Sequence, residues 1–258
     1  MERRELSVQS KDFLENLRMY LFSSGKKEKE IDEVVEELSD HLEEAEQAGK
    51  NVEHIIGQSP EHYMKHLSEE MSTDYKGWTK FVPIFIIGVM AYFLLEDALQ
   101  GTIHYSLLDL IGFPIVCLIL LKVYMMTFKY LSKRKTSILK EFAVFYGVGL
   151  LSISLFIGLL LVKKNFGTPF IIVDSMLGRM IIGSLAVCIF VGMALWSKTW
   201  FSIFIPLIIF VPQFVTQFLQ VSDKTEILLN SFLIFVGIII FGIFELIKLK
   251  KLKAKSIY

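Results

Sequence analysis

Cysteine is nearly absent from this chain of 258 residues, which contains only Cys117 and Cys188. Each lies inside an apolar run, where a thiol usually acts as a small packing residue. The polar first 80 residues contain no cysteine. A disulfide framework or a cysteine-based zinc site needs several cysteines at short spacing, so the sequence argues against both.

Motifs of common catalytic chemistry are also lacking. There is no Gly-rich phosphate loop, no Gly-x-Ser-x-Gly elbow, no His-Glu-x-x-His and no carboxylate pair of recognised spacing. His62 and His66 are four residues apart, a spacing that allows metal binding, but no third ligand can be assigned. We expect both to be partly exposed polar residues, and the protein to be no enzyme and to use no metal or cofactor.

The formal net charge of zero results from two unlike parts of the chain. The first 80 residues hold 19 Asp and Glu against 11 Lys and Arg, whereas the remaining residues hold 8 acids and 16 bases. An acidic front segment is repelled by phosphate backbones, so direct nucleic-acid binding by this segment is disfavoured.

Long apolar runs occur only after Lys80. A membrane helix needs about 20 apolar residues, and backbone groups in lipid must be paired within their own segment. Six runs meet this requirement: Phe81–Leu99, Leu107–Phe128, Phe142–Val162, Met176–Leu195, Trp200–Leu219 and Ile227–Ile247. We therefore predict an all-α fold with a six-helix transmembrane bundle. Pro206 and Pro212 favour a kink in the fifth run; a re-entrant fifth run, which leaves five spans, is the alternative.

The distribution of basic residues predicts the orientation of these spans. The connection Lys129–Lys140 and the tail Lys248–Tyr258 carry five bases each, and Lys198 lies in a third connection on the same side. The opposite connections carry three in total. Because basic loops stay in the cytoplasm, we expect a multi-pass cell-membrane protein with both termini cytoplasmic.

Residues 1–72 are expected to form a small acidic helical domain in the cytoplasm. Apolar residues at helical spacing predict a first helix from Lys11 to Phe22, capped by Ser10, and a second from Lys27 to Ala48. A short turn over Val52–Ile56 and a last helix opened by Ser59-Pro60 follow. We divide the rest into a juxtamembrane linker (73–80), the six-span domain (81–247) and a basic cytoplasmic tail (248–258).

The front domain carries a recognisable pattern. Leu21-Phe-Ser-Ser-Gly25 is followed by Glu36-Glu-Leu-Ser-Asp-His-Leu42, and later by Ile56-Gly-Gln-Ser-Pro60. Over about residues 8–72 this pattern resembles the HAAS domain, a small α-helical domain at the N-terminus of many Gram-positive membrane proteins. The resemblance implies membrane helices after the domain and an association with PadR-like winged-helix repressors.

An acidic face on the second helix is the first candidate site. It comprises six residues: Glu36, Glu37, Asp40, His41, Glu43 and Glu44. A solvated helix surface is the simpler interpretation, and a docking surface for a basic partner is the functional one. Because His41 neighbours the apolar stripe, we expect its imidazole to be buried and hydrogen-bonded.

Polar residues near the predicted outer ends of the spans form the second candidate site. They are Glu96, Asp97, Asp109, Arg179, Gln213 and Gln217, with Thr216 and Gln220 close by in the fifth run. The simpler interpretation is contact with headgroups and water, with Arg179 paired to a carboxylate. The functional interpretation is an outward-facing pocket for a small ligand, peptide or ion.

Several functions are compatible with these features. Our leading expectation is a non-enzymatic signalling or regulatory protein, whose front domain relays the state of the membrane or envelope to a cytoplasmic partner such as a PadR-like repressor. A transporter or export accessory subunit and a membrane immunity protein are the alternatives. A domain of about 70 residues has a marginal core, so docking to the bilayer face or to a second copy of the chain is also expected.

Overall fold

A computed structural model describes residues 6–50, 59–101, 103–133, 137–219 and 222–255, with the side chains of 217, 218, 223 and 248–255 outside the description. In these ranges the chain forms nine helices and two strands. In chain order they are α1 Val8–Ser23, α2 Glu28–Gln47, α3 Pro60–Glu70, α4 Tyr75–Gln100, β1 Ile103–Ser106, α5 Leu107–Ser132, α6 Ile138–Phe166, β2 Pro169–Val173, α7 Met176–Ser197, α8 Phe201–Leu219 and α9 Asp223–Lys255.

Helices α1 to α3 build the front domain around one apolar core, from the stripes that the helical spacing predicts. Its buried members are Phe13, Leu14, Leu17, Tyr20, Leu21, Ile31, Leu38, Leu42 and Met64. Tyr63, Leu67 and Met71 pack against them at partial exposure. The core therefore lies where the periodicity predicts.

The ends of these helices confirm one predicted cap and correct another. Ser59 accepts a hydrogen bond from the His62 backbone N–H, with Pro60 at the first helical position, as predicted. Helix α1, however, begins three residues before Lys11, because Ser7 rather than Ser10 caps it. The predicted turn Val52–Ile56 lies outside the described residues.

Among the described residues, five helices are long and apolar enough to cross a membrane. They are Tyr75–Gln100, Leu107–Ser132, Ile138–Phe166, Met176–Ser197 and, within α9, Lys224–Ile247. Each coincides with a predicted span. Helix α8 is continuous through Pro206 and Pro212, but its described apolar stretch, Phe201–Thr216, is shorter. The sixth span therefore stays a prediction.

The chain divides into two compact units. The first contains Met1–Pro83 and Ser106–Thr168; here α1 packs against both α2 and α5, and α5 packs against α6. The second contains Ile84–Tyr105 and Pro169–Tyr258; here α8 packs against α7 and α9.

A two-stranded sheet between β1 and β2 is absent from our sequence prediction. In the second unit, the chain on either side of these strands is helical and has its own small buried cluster, formed by Ala91, Ala186 and Phe190. The all-α class holds for the molecule, with this sheet as a local addition.

Candidate functional site

The front domain contacts the end of membrane helix α5 through an aromatic and two bases. Tyr20 of α1 is 2% exposed, and the Lys129 and Lys133 ammonium groups lie 5.0 and 5.7 Å from its ring centroid. The Lys133 Nζ also lies 3.1 Å from Glu61 Oε1 of α3. Cations over an aromatic face are attracted by its quadrupole, so these contacts attach α1 and α3 to α5. We name these four residues the α5 junction.

Burial of the Tyr20 ring has an electrostatic consequence. Loss of water around the hydroxyl raises the Tyr20 pKa, and the positive charge of Lys133 partly opposes that increase. The hydroxyl therefore stays protonated at neutral pH. The ring at the α5 junction is a neutral π surface for the two lysines.

A second set of contacts fixes the linker that leads to α4. The Lys26 ammonium donates to the Met71 carbonyl oxygen at 2.8 Å, and the Asp74 N–H donates to the Gly25 carbonyl oxygen at 2.8 Å. Gly25 has a φ of +74°, and a Cβ there would lie 3.2 Å from Trp78 Nε1. A glycine is therefore required by both the backbone and the close approach of Trp78. The front domain is thus held to the beginning of α4 as well as to the end of α5.

The acidic face of α2 is exposed to solvent. Glu36, Glu37, Asp40, His41 and Glu44 are exposed and Glu43 is half-buried, while Leu38 and Leu42 between them are buried. The expectation of a buried His41 is wrong. Its side chain is 59% exposed and its Nε2 lies 3.9 Å from Glu37 Oε1 on the same helix, because His41 lies beside the apolar stripe rather than within it.

Asp109 is not a headgroup-facing residue as the sequence suggested. It is 1% exposed, its carboxylate accepts from the N–H and hydroxyl of Ser106 at 2.7 and 2.9 Å, and Lys163 Nζ lies 2.9 Å from its other oxygen. Ser106 in turn accepts from the Asp109 N–H, which completes a capping box. A carboxylate at a helix N-terminus is favoured by the helix dipole, so Asp109 has a structural role in joining α5 to α6.

In the second unit, the predicted polar residues take part in several separate contacts. Glu96 accepts from the Gln100 side-chain amide at 3.2 Å, and Asp97 accepts from the Tyr105 hydroxyl at 2.6 Å. His104 precedes Tyr105 in the chain, and its Nε2 lies 3.2 Å from Asp174 Oδ1. Sequence analysis did not single out His104, Tyr105 or Asp174. These residues are positioned by strands β1 and β2, which were not predicted.

Helices α8 and α9 share a polar contact at Thr216, which is 2% exposed. Its hydroxyl lies 3.1 Å from Asn230 Oδ1 and 3.4 Å from Glu226 Oε1, and 3.0 Å from the carbonyl oxygen of Gln213. The Gln213 side chain is half-buried. The side chain of Gln217, and Gln220, lie outside the described residues. The acceptors on α9 were missed because their only sequence signal is a polar residue at the start of an apolar run.

Arg179 differs from the other predicted polar residues. Its Nε is buried, and no described residue accepts a hydrogen bond from it. The expected carboxylate partner is not present in the part of the chain that the structure describes. The guanidinium borders a cavity of about 740 Å³ between α4, α7 and α8. Apolar and small side chains form the rest of its lining, among them Leu95, Ala98, Leu99, Gly183, Cys188 and Phe214. We call this cavity the Arg179 groove.

Comparison with protein families gives a match to part of the chain. Residues 92–209 match the family model of the HAAS transmembrane region. The matched segment is 118 of the 258 residues, and this part of the chain is similar to the HAAS transmembrane region. The match runs from α4, through α5, α6 and α7, into α8. No curated protein and no solved structure matches the chain.

The match to the HAAS transmembrane region supports the resemblance stated from the front domain, by way of a different part of the chain. The resemblance rests on residues 8–72, whereas the match covers membrane helices. Together with the apolar helices of the described residues, the match supports a membrane protein. The matched segment includes Asp97, Asp109 and Arg179. The association with PadR-like repressors is not part of the match and stays a prediction.

Proposed function

We propose that this protein, whose residues 92–209 match the HAAS transmembrane region, is a six-span signalling protein of the cell membrane, with both termini in the cytoplasm. Its front domain relays the state of the helical bundle to a cytoplasmic partner, for which a PadR-like repressor is the leading candidate. The observation that carries the proposal is the α5 junction, because a change in the tilt or position of α5 displaces the ammonium groups on which Tyr20 and Glu61 rest.

The placement of the front domain supports the orientation. Tyr20 rests on Lys129 and Lys133, two of the five bases in the connection Lys129–Lys140. A basic connection of this kind stays on the cytoplasmic side. The front domain, which contacts the same end of α5, then lies in the cytoplasm too.

The acidic face of α2 is the proposed partner surface. Its exposed carboxylates are held on one rigid helix whose opposite side is packed into the core. A repressor that binds DNA carries a basic surface shaped for regularly spaced negative charge. An acidic helix offers similar charge, so a repressor held there is kept from DNA.

Capture of the repressor by the full chain tests this proposal. PadR-like repressors of the same organism are expected to co-purify with the detergent-extracted protein. Changing Glu36→Gln and Glu37→Gln together is expected to reduce capture by at least tenfold at low salt, because the steering charge is lost. Glu69→Gln with Glu70→Gln is a matched control, since it removes two adjacent exposed carboxylates from α3 instead.

Two outcomes of the capture experiment would contradict the proposal. One is the absence of any PadR-like protein from the captured material. The other is an equal loss of capture in both double variants, which would indicate a general charge effect rather than a surface on α2.

A further inference from the structure

The lining of the Arg179 groove extends along α7 over about half the thickness of a membrane. Its lining on α7 recurs every three to four residues from Met176 to Cys188, so these side chains share one helical face. The twelve residue steps from Met176 to Cys188, at a rise of 1.5 Å each, span about 18 Å, close to one leaflet of a hydrocarbon core that is roughly 30 Å thick. The volume of about 740 Å³ falls in the range of small-molecule sites, roughly 300–1,000 Å³.

Arg179 is the one positively charged residue of the described lining. It lies at the end of the groove where α7 begins. Arg179 lies in the first turn of α7, whose N-cap is Ser175. A cation there is opposed by the positive end of the helix dipole, and its Nε is buried with no acceptor among the described residues. The Arg179 side chain is half-buried, and a partly desolvated guanidinium whose Nε has no described partner is stabilised by an anion from outside the chain.

Among the described residues, the surroundings position the guanidinium and supply no anion to its Nε. Gly101, at a φ of +87°, has no side chain, and the Arg179 guanidinium packs against it: a Cβ there would lie 2.5 Å from Nη1. Asp174, the carboxylate nearest to Arg179 along the chain, lies 3.2 Å from His104 instead. The other residues that line the groove have apolar or small side chains, with Gly183, Ser184 and Ala98 among the small ones.

We propose that the Arg179 groove binds one anionic phospholipid, with the phosphodiester on the Arg179 guanidinium and an acyl chain along α7. The guanidinium can donate bidentate hydrogen bonds to two phosphate oxygens, and the acyl chain covers the apolar side chains that line the groove. The positive charge of Arg179 and the apolar lining of the groove together match an amphiphilic ligand, whereas a free phosphate would contact only Arg179. The inference does not depend on the signalling function.

Native mass spectrometry of the full chain in a non-ionic detergent tests the site. Phosphatidylglycerol and phosphatidylcholine with identical acyl chains are titrated separately, as is soluble glycerophosphoglycerol, which has no chains. We expect one molecule of phosphatidylglycerol to be retained about tenfold more tightly than phosphatidylcholine, because the choline ammonium neutralises the neighbouring phosphodiester and is repelled by Arg179. Glycerophosphoglycerol is expected not to be retained. Equal retention of the two lipids by the unmodified protein would overturn the proposal, and so would retention of the chain-free headgroup.

Variants locate the lipid. Arg179→Ala is expected to lower phosphatidylglycerol affinity about tenfold, the equivalent of one lost charge-assisted contact, whereas Lys164→Ala removes an exposed base and should leave it unchanged. Ser184→Phe keeps the charge and fills the groove, and is expected to lose retention as well. Ser184→Phe also decides the matter if Arg179→Ala fails to fold. Unchanged retention in either folded variant would place the lipid elsewhere and overturn the assignment.

Discussion

Glu46 shows how one carboxylate can join two helices in a small domain. It lies near the end of α2, accepts from the Ser10 hydroxyl at 2.5 Å and from the Ser7 backbone N–H at 3.0 Å, and so closes the beginning of α1 onto α2. These two hydrogen bonds, first from Ser10 and then from Ser7, lower the Glu46 pKa. The charged form is therefore favoured in the folded domain.

The lowered Glu46 pKa predicts a loss of stability in acid. A carboxylate whose folded-state pKa is depressed contributes stability above its unfolded pKa, about 4.3, and loses it as the pH falls through the folded-state value. We expect Glu46→Gln to lower the opening free energy of the first turns of α1 by about 0.5–1 kcal/mol at pH 7, and to have progressively less effect as the pH falls through the lowered folded-state pKa of Glu46. Hydrogen exchange of the full chain, corrected for intrinsic rates, measures both.

The matched variant for Glu46 is Glu43→Gln. Glu43 accepts from Gln47 one turn later on the same helix, so its loss removes no link to α1. If Glu43→Gln reduced protection of α1 as much as Glu46→Gln does, the effect would come from helix charge and not from the contact with Ser10.

Residue identity alone gave an incomplete account of the polar sites. The apolar core positions of α1 to α3 could be predicted, because burial follows the helical period. The partners of Asp109 could not, since Lys163 is 54 positions away in α6 and only the tertiary fold brings them together. Likewise, no local pattern distinguishes Arg179, which lacks a described partner, from a paired interfacial arginine.

Among secondary-structure elements, length determined what could be predicted. The membrane helices are long apolar runs, and their structural ends extend the predicted spans mainly by polar residues, as in Ile138–Phe166 against Phe142–Val162. Strands β1 and β2 have only four and five residues. Each lies in a connection between helices, and a run this short has no readable period.

The contact between α1 and α5 leads to a prediction about helix docking. Lys133→Gln removes the ion pair with Glu61 and one of the two cations over Tyr20. Both contacts are partly exposed, so together they stabilise docking by about 1 kcal/mol. We expect hydrogen exchange of the α1 amides to be about fivefold faster in the full-length variant, because opening from α5 becomes easier.

Lys140→Gln provides the control for this experiment. Lys140 is a base of the same connection, but its ammonium lies 5.9 Å from the ring of Tyr130 rather than over Tyr20. Its removal should leave α1 exchange unchanged. Equal acceleration by Lys133→Gln and Lys140→Gln, or none by Lys133→Gln, would show that the α5 junction does not hold the front domain.

At the scale of the whole molecule, polarity and packing divide the chain differently. A sequence division follows polarity and separates residues 1–72 from the six-span domain 81–247. The compact units follow contacts, and group the front domain with Ser106–Thr168. Hydropathy carries no information about which membrane helix a soluble domain contacts, so this grouping had no sequence signal.

The number of crossings is the property on which the orientation of the C-terminal tail depends. Helix α8, Phe201–Leu219, has 19 residues and a length of about 28 Å, close to a hydrocarbon core of roughly 30 Å. We therefore expect it to cross. With Cys117 and Cys188 replaced by alanine, single cysteines at Ser137 and Ser197 should resist a membrane-impermeant maleimide on intact cells, and one at Ser222 should react. All three should react after permeabilisation. If α8 were re-entrant, Ser197 and Ser222 would lie on one side and label alike, and the tail after Ile247 would face outward.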